Sequence, residues 1–142
     1  MVCCLNRHKF YQIYKKDSFI TKTPFSKIYL CQKIGVSDSS KEPSYIAKIQ
    51  NPLVNKNSIN NEINILRKLS QCKYVTKLIY YERQIFSSYL VFQKIEGCHL
   101  GNYLKSNKNS NNYINIIKQL LEGFSEIQNY NIIHRDIKLD NI

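Results

Sequence analysis

The stretch Ile132 to Ile142 constrains this chain more than any other. It reads I-I-H-R-D-I-K-L-D-N-I. A carboxylate (Asp136), an ammonium (Lys138) and an amide (Asn141) follow one another at fixed spacing, set among apolar residues. Ile132 and Ile133 lead in as a short strand would, and Ile137 supplies an apolar anchor inside the polar run. With 142 residues the chain can bury one ordinary core. These polar groups are therefore expected to be presented by a folded scaffold.

The stretch resembles the catalytic loop of protein kinases, whose pattern is H-R-D-L-x-x-x-N. His134, Arg135, Asp136, Lys138 and Asn141 stand where that family has its loop residues, with Ile137 in place of Leu. Phosphoryl transfer relies on positioned charge more than on covalent chemistry. The resemblance implies that Asp136 sits beside the attacking hydroxyl and that Asn141 holds a magnesium ion. It also implies that Lys138 neutralises charge on the transferred group. A lysine two residues after the aspartate points to a Ser/Thr kinase.

The chain upstream follows the same order. Phe10 to Ile20 has strand-like content, interrupted by Lys15-Lys16-Asp17. Thr21 to Tyr29, T-K-T-P-F-S-K-I-Y, resembles the kinase phosphate loop, with Phe25, Ile28 and Tyr29 matching. Thr21, Thr23 and Ser26 replace its glycines. Glycines there let backbone N–H groups approach phosphates. Two threonines add β-branched stiffness and Pro24 removes a donor. Gly35 precedes a polar loop, Val36 to Ser44, and no helix.

Tyr45 to Ile49, Y-I-A-K-I, resembles the V-A-I-K strand, with Lys48 as the phosphate-orienting lysine. Alternation puts Ile46 and Lys48 on one face. The family usually has Ala where Ile46 stands, so the adenine slot is expected to be narrowed. Asn51-Pro52 ends the strand, and Asn57 or Ser58 is expected to cap a helix reaching about Leu69. Glu62 falls within its apolar stripe of Ile59, Ile63 and Leu66. A carboxylate there needs a partner, and Lys48 is the obvious one. The kinase resemblance implies the same ion pair.

Val75 to Tyr81 and Ser88 to Ile95 read as paired strands. Y-L-V-F-Q-K-I-E-G resembles the last small-lobe strand and the hinge. Phe92 would be the gatekeeper, and the Gln93 carbonyl and Ile95 N–H would bind the adenine. Ile20, Ile28 and Ile46 complete the implied ATP-binding set. Gly97 lets the chain turn into the second lobe. Leu100 to Lys105 reads as a short helix. Tyr113 to Gln128 reads as a long amphipathic one, with Ile117, Leu120, Leu121, Phe124 and Ile127 at 3–4 spacing.

Composition narrows the remaining classes. The net charge of +11 comes from lysines scattered through every segment, not from a basic run, so no specific nucleic-acid role is expected. The five cysteines, at 3, 4, 31, 72 and 98, have no zinc spacing and suit free thiols in a reducing compartment. Cys3-Cys4 on a weakly basic tail could accept a palmitoyl group, with idle thiols the stronger reading. No long apolar run is present, which leads us to expect an intracellular, cytoplasmic protein with no stable membrane insertion.

The resemblance thus implies an α+β, kinase-like fold. Residues 1–9 would be a tail, 10–97 a small lobe, and 98–142 the opening of the helical large lobe. The implied activity is ATP- and Mg2+-dependent phosphorylation of protein serine or threonine. In the family a D-F-G aspartate follows this stretch, so the chain is expected to be an N-terminal portion, inactive alone. A partner would cover the apolar face of the 113–128 helix. The alternative is a non-catalytic, pseudokinase-like interaction module, which the lost glycines and Ile46 favour.

Overall fold

A computed structural model describes residues 9–35, 45–51, 55–107 and 112–142. The tail with Cys3-Cys4, the loop Val36 to Ser44, Pro52 and the middle of the 105–112 loop lie outside these residues. The described chain divides into two compact units. One comprises Met1–Asn64 with Lys77–Lys94, the other Ile65–Thr76 with Ile95–Ile142.

The first unit is built on an antiparallel five-stranded sheet: β1 (Tyr14–Lys22), β2 (Ser26–Lys33), β3 (Tyr45–Gln50), β4 (Leu78–Arg83) and β5 (Ser88–Gln93). Its spatial order is β1-β2-β3-β5-β4. A single helical turn, α1 (Phe10–Ile13), precedes β1, and α2 (Lys56–Lys68) joins β3 to β4.

The expected interruption at Lys15-Lys16-Asp17 does not occur, and β1 runs through it. Lys16 explains this. Its ammonium lies 4.7 Å from the Tyr29 ring centre and 5.2 Å from that of Tyr11. Its charge meets aromatic faces. The strand compensates with register irregularities between Lys16 and Thr21.

Period-two alternation divides β3 between two environments. Ala47 faces a core of Phe10, Tyr14, Cys31, Tyr89 and Val91, flanked by Ile13, Tyr45, Ile49 and Tyr80. Phe10 is fully buried there, stacked on Tyr89 with ring centres 4.8 Å apart. Burial pushes the Cys31 thiol up to about 11, so it is an inert packing group.

Lys48 faces the other way. In register across β2, β3 and β5, that face carries three rows: Leu30–Ile46–Phe92, Ile28–Lys48–Leu90 and Ser26–Gln50–Ser88.

The helix cap lies earlier than expected. Asn55, not Asn57 or Ser58, accepts the Asn57 N–H on its side-chain oxygen at 2.8 Å, and its carbonyl takes the first helical bonds. β4 begins at Leu78 rather than Val75 and continues to Arg83, while β5 stops at Gln93 rather than Ile95.

The second unit contains α3 (Leu100–Ser106), α4 (Tyr113–Gln128) and a closing 3-10 turn at Leu139–Asn141. Within it, Tyr74 packs on α4 at Gly123. A β-carbon at Gly123 would meet the Tyr74 β-carbon at 3.1 Å. The Tyr74 hydroxyl donates to Glu122 at 2.7 Å, and the Lys73 N–H donates to Glu126 at 2.7 Å. Ile132 and Ile133 form no strand, since Ile132 to Lys138 is irregular.

Candidate active site

In the first unit the site is built on one face of the sheet. Ile28, Ile46, Lys48 and Phe92 share that face in two adjacent rows. α2 lays Glu62 toward it. The Lys48 ammonium lies 2.5 Å from Glu62 Oε1, both side chains about one-third exposed or less. A pair this close and partly dehydrated fixes the lysine in a single place. Ile20 lies in the irregular part of β1 and is 47 % exposed. Gln93 ends β5, its N–H committed to the Lys77 carbonyl at 3.1 Å.

A third residue, absent from the sequence-based set, belongs here. Gln50 donates to Glu62 Oε2 at 2.9 Å and is 5 % exposed. The signal for it was in the sequence. Gln50 follows Lys48 by two, so alternation sets it on the same face.

The hairpin tip between β1 and β2 is closed on itself. Thr23 Oγ1 accepts the N–H groups of Phe25 and Ser26 at 3.2 and 3.0 Å and lies 2.9 Å from Ser26 Oγ. Asn51 holds the tip from β3, donating its backbone N–H to the Phe25 carbonyl and its amide to that of Pro24. The threonine that stands where the resemblance expects a glycine thus occupies the Phe25 and Ser26 amides.

In the second unit, the irregular segment Ile132–Lys138 and the turn after it gather Asp136, Lys138 and Asn141. Arg135 has a left-handed backbone, φ 66°, a costly state for a residue with a β-carbon. The Asp136 N–H then donates to His134 Nδ1 at 3.3 Å. Asn141 donates its amide to both the carbonyl and Oδ2 of Asp136, each at 2.8 Å. Lys138 Nζ lies 3.4 Å from the same Oδ2.

The turn is anchored on α3. The Leu100 N–H donates to the Ile142 carbonyl at 2.6 Å, and Gly101 lies against Leu139. The Asn141 hydrogen bond, then the one from Lys138, and the charges of Lys138 and His134 hold the Asp136 carboxyl below its ordinary 3.8, against a smaller opposing effect of desolvation. Ile95, by contrast, is exposed in the strand-to-helix connection.

The donor set suits a hard cation in kind but not in number. With its nitrogen committed to Asp136, Asn141 has its carbonyl oxygen left to offer. Asp136 and Asn141 together present oxygens of the type Mg2+ takes. Among the described residues no group of three or more His, Cys, Asp or Glu side chains converges to hold a metal. Lys48, fixed by Glu62, suits an anion such as a phosphate.

Comparison with known proteins agrees with this geometry. The protein kinase domain family matches residues 14–142. Similar proteins include the calcium/calmodulin-dependent protein kinase type 1 of Caenorhabditis elegans, 29 % identical over 83 % of this chain and 34 % of that protein. The dual specificity protein kinase zakA of Dictyostelium discoideum is 27 % identical over 91 % of the chain and 17 % of its own length. The serine/threonine-protein kinase ksp1 of Schizosaccharomyces pombe is 25 % identical over 90 % and 28 %. The chain thus spans about a third or less of the length of these relatives. With the five-stranded antiparallel sheet, the α2 helix and the H-R-D-I-K-L-D-N stretch in this order, the chain belongs to the protein kinase domain family.

Proposed function

We propose that this chain serves a protein kinase that phosphorylates serine and threonine, with Asp136 beside the accepting hydroxyl. The observation that carries the reading is the Asp136–Lys138–Asn141 cluster: a carboxylate oriented by an amide and balanced by an ammonium. Asp136 accepts the hydroxyl's hydrogen bond and orients its lone pair. Its depressed pKa makes it a weak base, so the proton reaches it late, in keeping with a loose transition state. Lys138 offsets negative charge beside it. Asn141 would offer its side-chain oxygen to magnesium, and Lys48, held by Glu62, would bind phosphate oxygens. Bound MgATP supplies the transferable phosphoryl group. Ile28, Ile46, Phe92, Gln93 and Ile95 would line the adenine slot, with Ile20 at its edge.

The boundaries read from the sequence, a small lobe over 10–97 and a large-lobe segment over 98–142, belong to the same proposal. So does a protein partner for α4, where Ile117 and Leu121 are 56 % and 63 % exposed. A Lys at position 138 and the serine/threonine-protein kinase among the relatives support Ser/Thr over Tyr.

A second reading has its own support. The hairpin tip spends two amides on Thr23, which suits a kinase-like module with weakened nucleotide binding. Incubation of the natural full-length protein with labelled ATP and a mixed Ser/Thr/Tyr peptide pool, followed by phosphoamino-acid analysis, separates the two. Phosphoserine and phosphothreonine are the expected products. Phosphotyrosine alone would overturn the specificity, and no transfer with retained peptide binding would favour the module.

A further inference from the structure

We infer that Gln50 is a positioning residue for the Lys48–Glu62 pair, one that keeps Glu62 and α2 seated independently of Lys48. The inference deepens the proposed role of that pair and rests on it.

Glu62 divides its two oxygens between two residues of β3. Oε1 faces the Lys48 ammonium at 2.5 Å, and Oε2 accepts from the Gln50 amide at 2.9 Å. An ionised carboxylate only accepts, so the Gln50 nitrogen must point toward it. That fixes the amide's orientation and leaves Gln50 Oε1 buried with no hydrogen-bond partner among the described residues. A buried acceptor without a partner is destabilising. Simple packing would be served better by an apolar side chain in a strand that otherwise reads Y-I-A-K-I. The glutamine is instead turned, at that cost, to give its donor to Glu62.

Its row of the sheet is polar too. Gln50 lies in register between Ser26 and Ser88, both buried. This polar row is one step along the sheet from the row that holds Lys48. A lysine that serves phosphate oxygens must share its ammonium. Glu62 would then lose part of its charged partner, and α2 would be free to drift. With Oε2 held by Gln50, the carboxylate stays aimed at Lys48 whether or not the ammonium is shared.

The test is amide hydrogen exchange on the full chain, reading α2 amides between Asn60 and Asn64 against Leu90 and Val91 in the sheet. Lys48→Met should leave α2 protection within about threefold of wild type, because the Gln50 contact remains. Gln50→Met, which keeps length but removes the donor, should lower it about tenfold, with the sheet amides unchanged. The Gln50→Met loss should act through Glu62. In a Glu62→Leu background, Gln50→Met should add nothing, a non-additivity that a packing role would not produce.

Glu62→Gln supplies a check that leaves Gln50 in place. It keeps an acceptor for Gln50 and should retain more α2 protection than Glu62→Leu. The inference is overturned if Lys48→Met alone costs as much as Glu62→Leu, or if Gln50→Met lowers the sheet amides equally. It is also overturned if the Gln50→Met effect persists without Glu62. Exchange uses no nucleotide. A separate finding that the protein does not bind MgATP would overturn the functional reading, while the exchange series still decides the role of Gln50.

Discussion

Glu82 organises the N-terminal end of the sheet by itself. This carboxylate, 9 % exposed, accepts from the Phe10 N–H at 2.6 Å, the Tyr80 hydroxyl at 3.0 Å, the Lys9 N–H at 3.2 Å and the Gln84 amide. Burial pushes its pKa up, but these four donors together outweigh burial and hold it below its ordinary 4.5. A depressed carboxyl adds stability that is present above its unfolded value and is lost as pH falls through the folded one. The docking of Phe10 should therefore weaken as pH drops below about 4.5. Glu82→Gln should remove that acid-side change and cost about 1.5–3 kcal/mol, the worth of hydrogen bonds to a charged group. Denaturant melts of both proteins between pH 3 and pH 7 check this. Nothing in the sequence marked Glu82, because two of its four donors are backbone groups more than seventy residues away. Lys48 and Glu62 were legible, since a strand lysine and a helix-stripe glutamate each announce a missing partner. Asp136 carries its own pH prediction. Held below 3.8, it should itself add no acid limb to phosphotransfer above about pH 4, once the titration of the ATP phosphate is subtracted.

Local rules placed the elements better than their ends. Asn57 and Ser58 were plausible caps by residue type, but Asn55 has the geometry, two positions before the Asn57 N–H it accepts. Asn55→Ala should destabilise the first unit by about 1 kcal/mol, whereas Ser58→Ala should fall within about 0.5 kcal/mol, read from paired thermal melts. The charged run in β1 misled for a different reason. A lysine reads as polar in a linear pattern, yet Lys16 has aromatic rings on both sides. The Ile132–Ile133 pair misled in the opposite sense, because apolar content alone cannot supply a strand with a pairing neighbour. At the hairpin tip the sequence did announce the departure. Thr23 and Pro24 stand where the resemblance implies a glycine-rich loop, and the Thr23 hydroxyl closes the turn. Thr23→Gly should free the Phe25 and Ser26 amides and tighten MgATP binding, measured by calorimetry. An unchanged affinity would mean the tip does not limit binding.

At the scale of the molecule, order carried the reading. A degenerate hairpin, Lys48, Glu62, the Phe92–Ile95 connection and the Asp136 loop occur in the sequence order of the protein kinase domain family, which matches residues 14–142. Identities of 25–29 % to the relatives named leave most individual positions changed, so the pattern survives as spacing and residue chemistry. No described helix is long and apolar enough to cross a membrane. Asp136 is the residue proposed to serve phosphoryl transfer. The most direct measurement is single-turnover transfer from labelled ATP by the natural full-length protein, wild type against Asp136→Asn, with equal folding checked by circular dichroism. The account predicts measurable transfer by the wild type and a loss of about 10²–10⁴-fold in the variant, the scale of a positioned acid–base group. Equal rates, or no transfer from either protein at saturating MgATP, would contradict it.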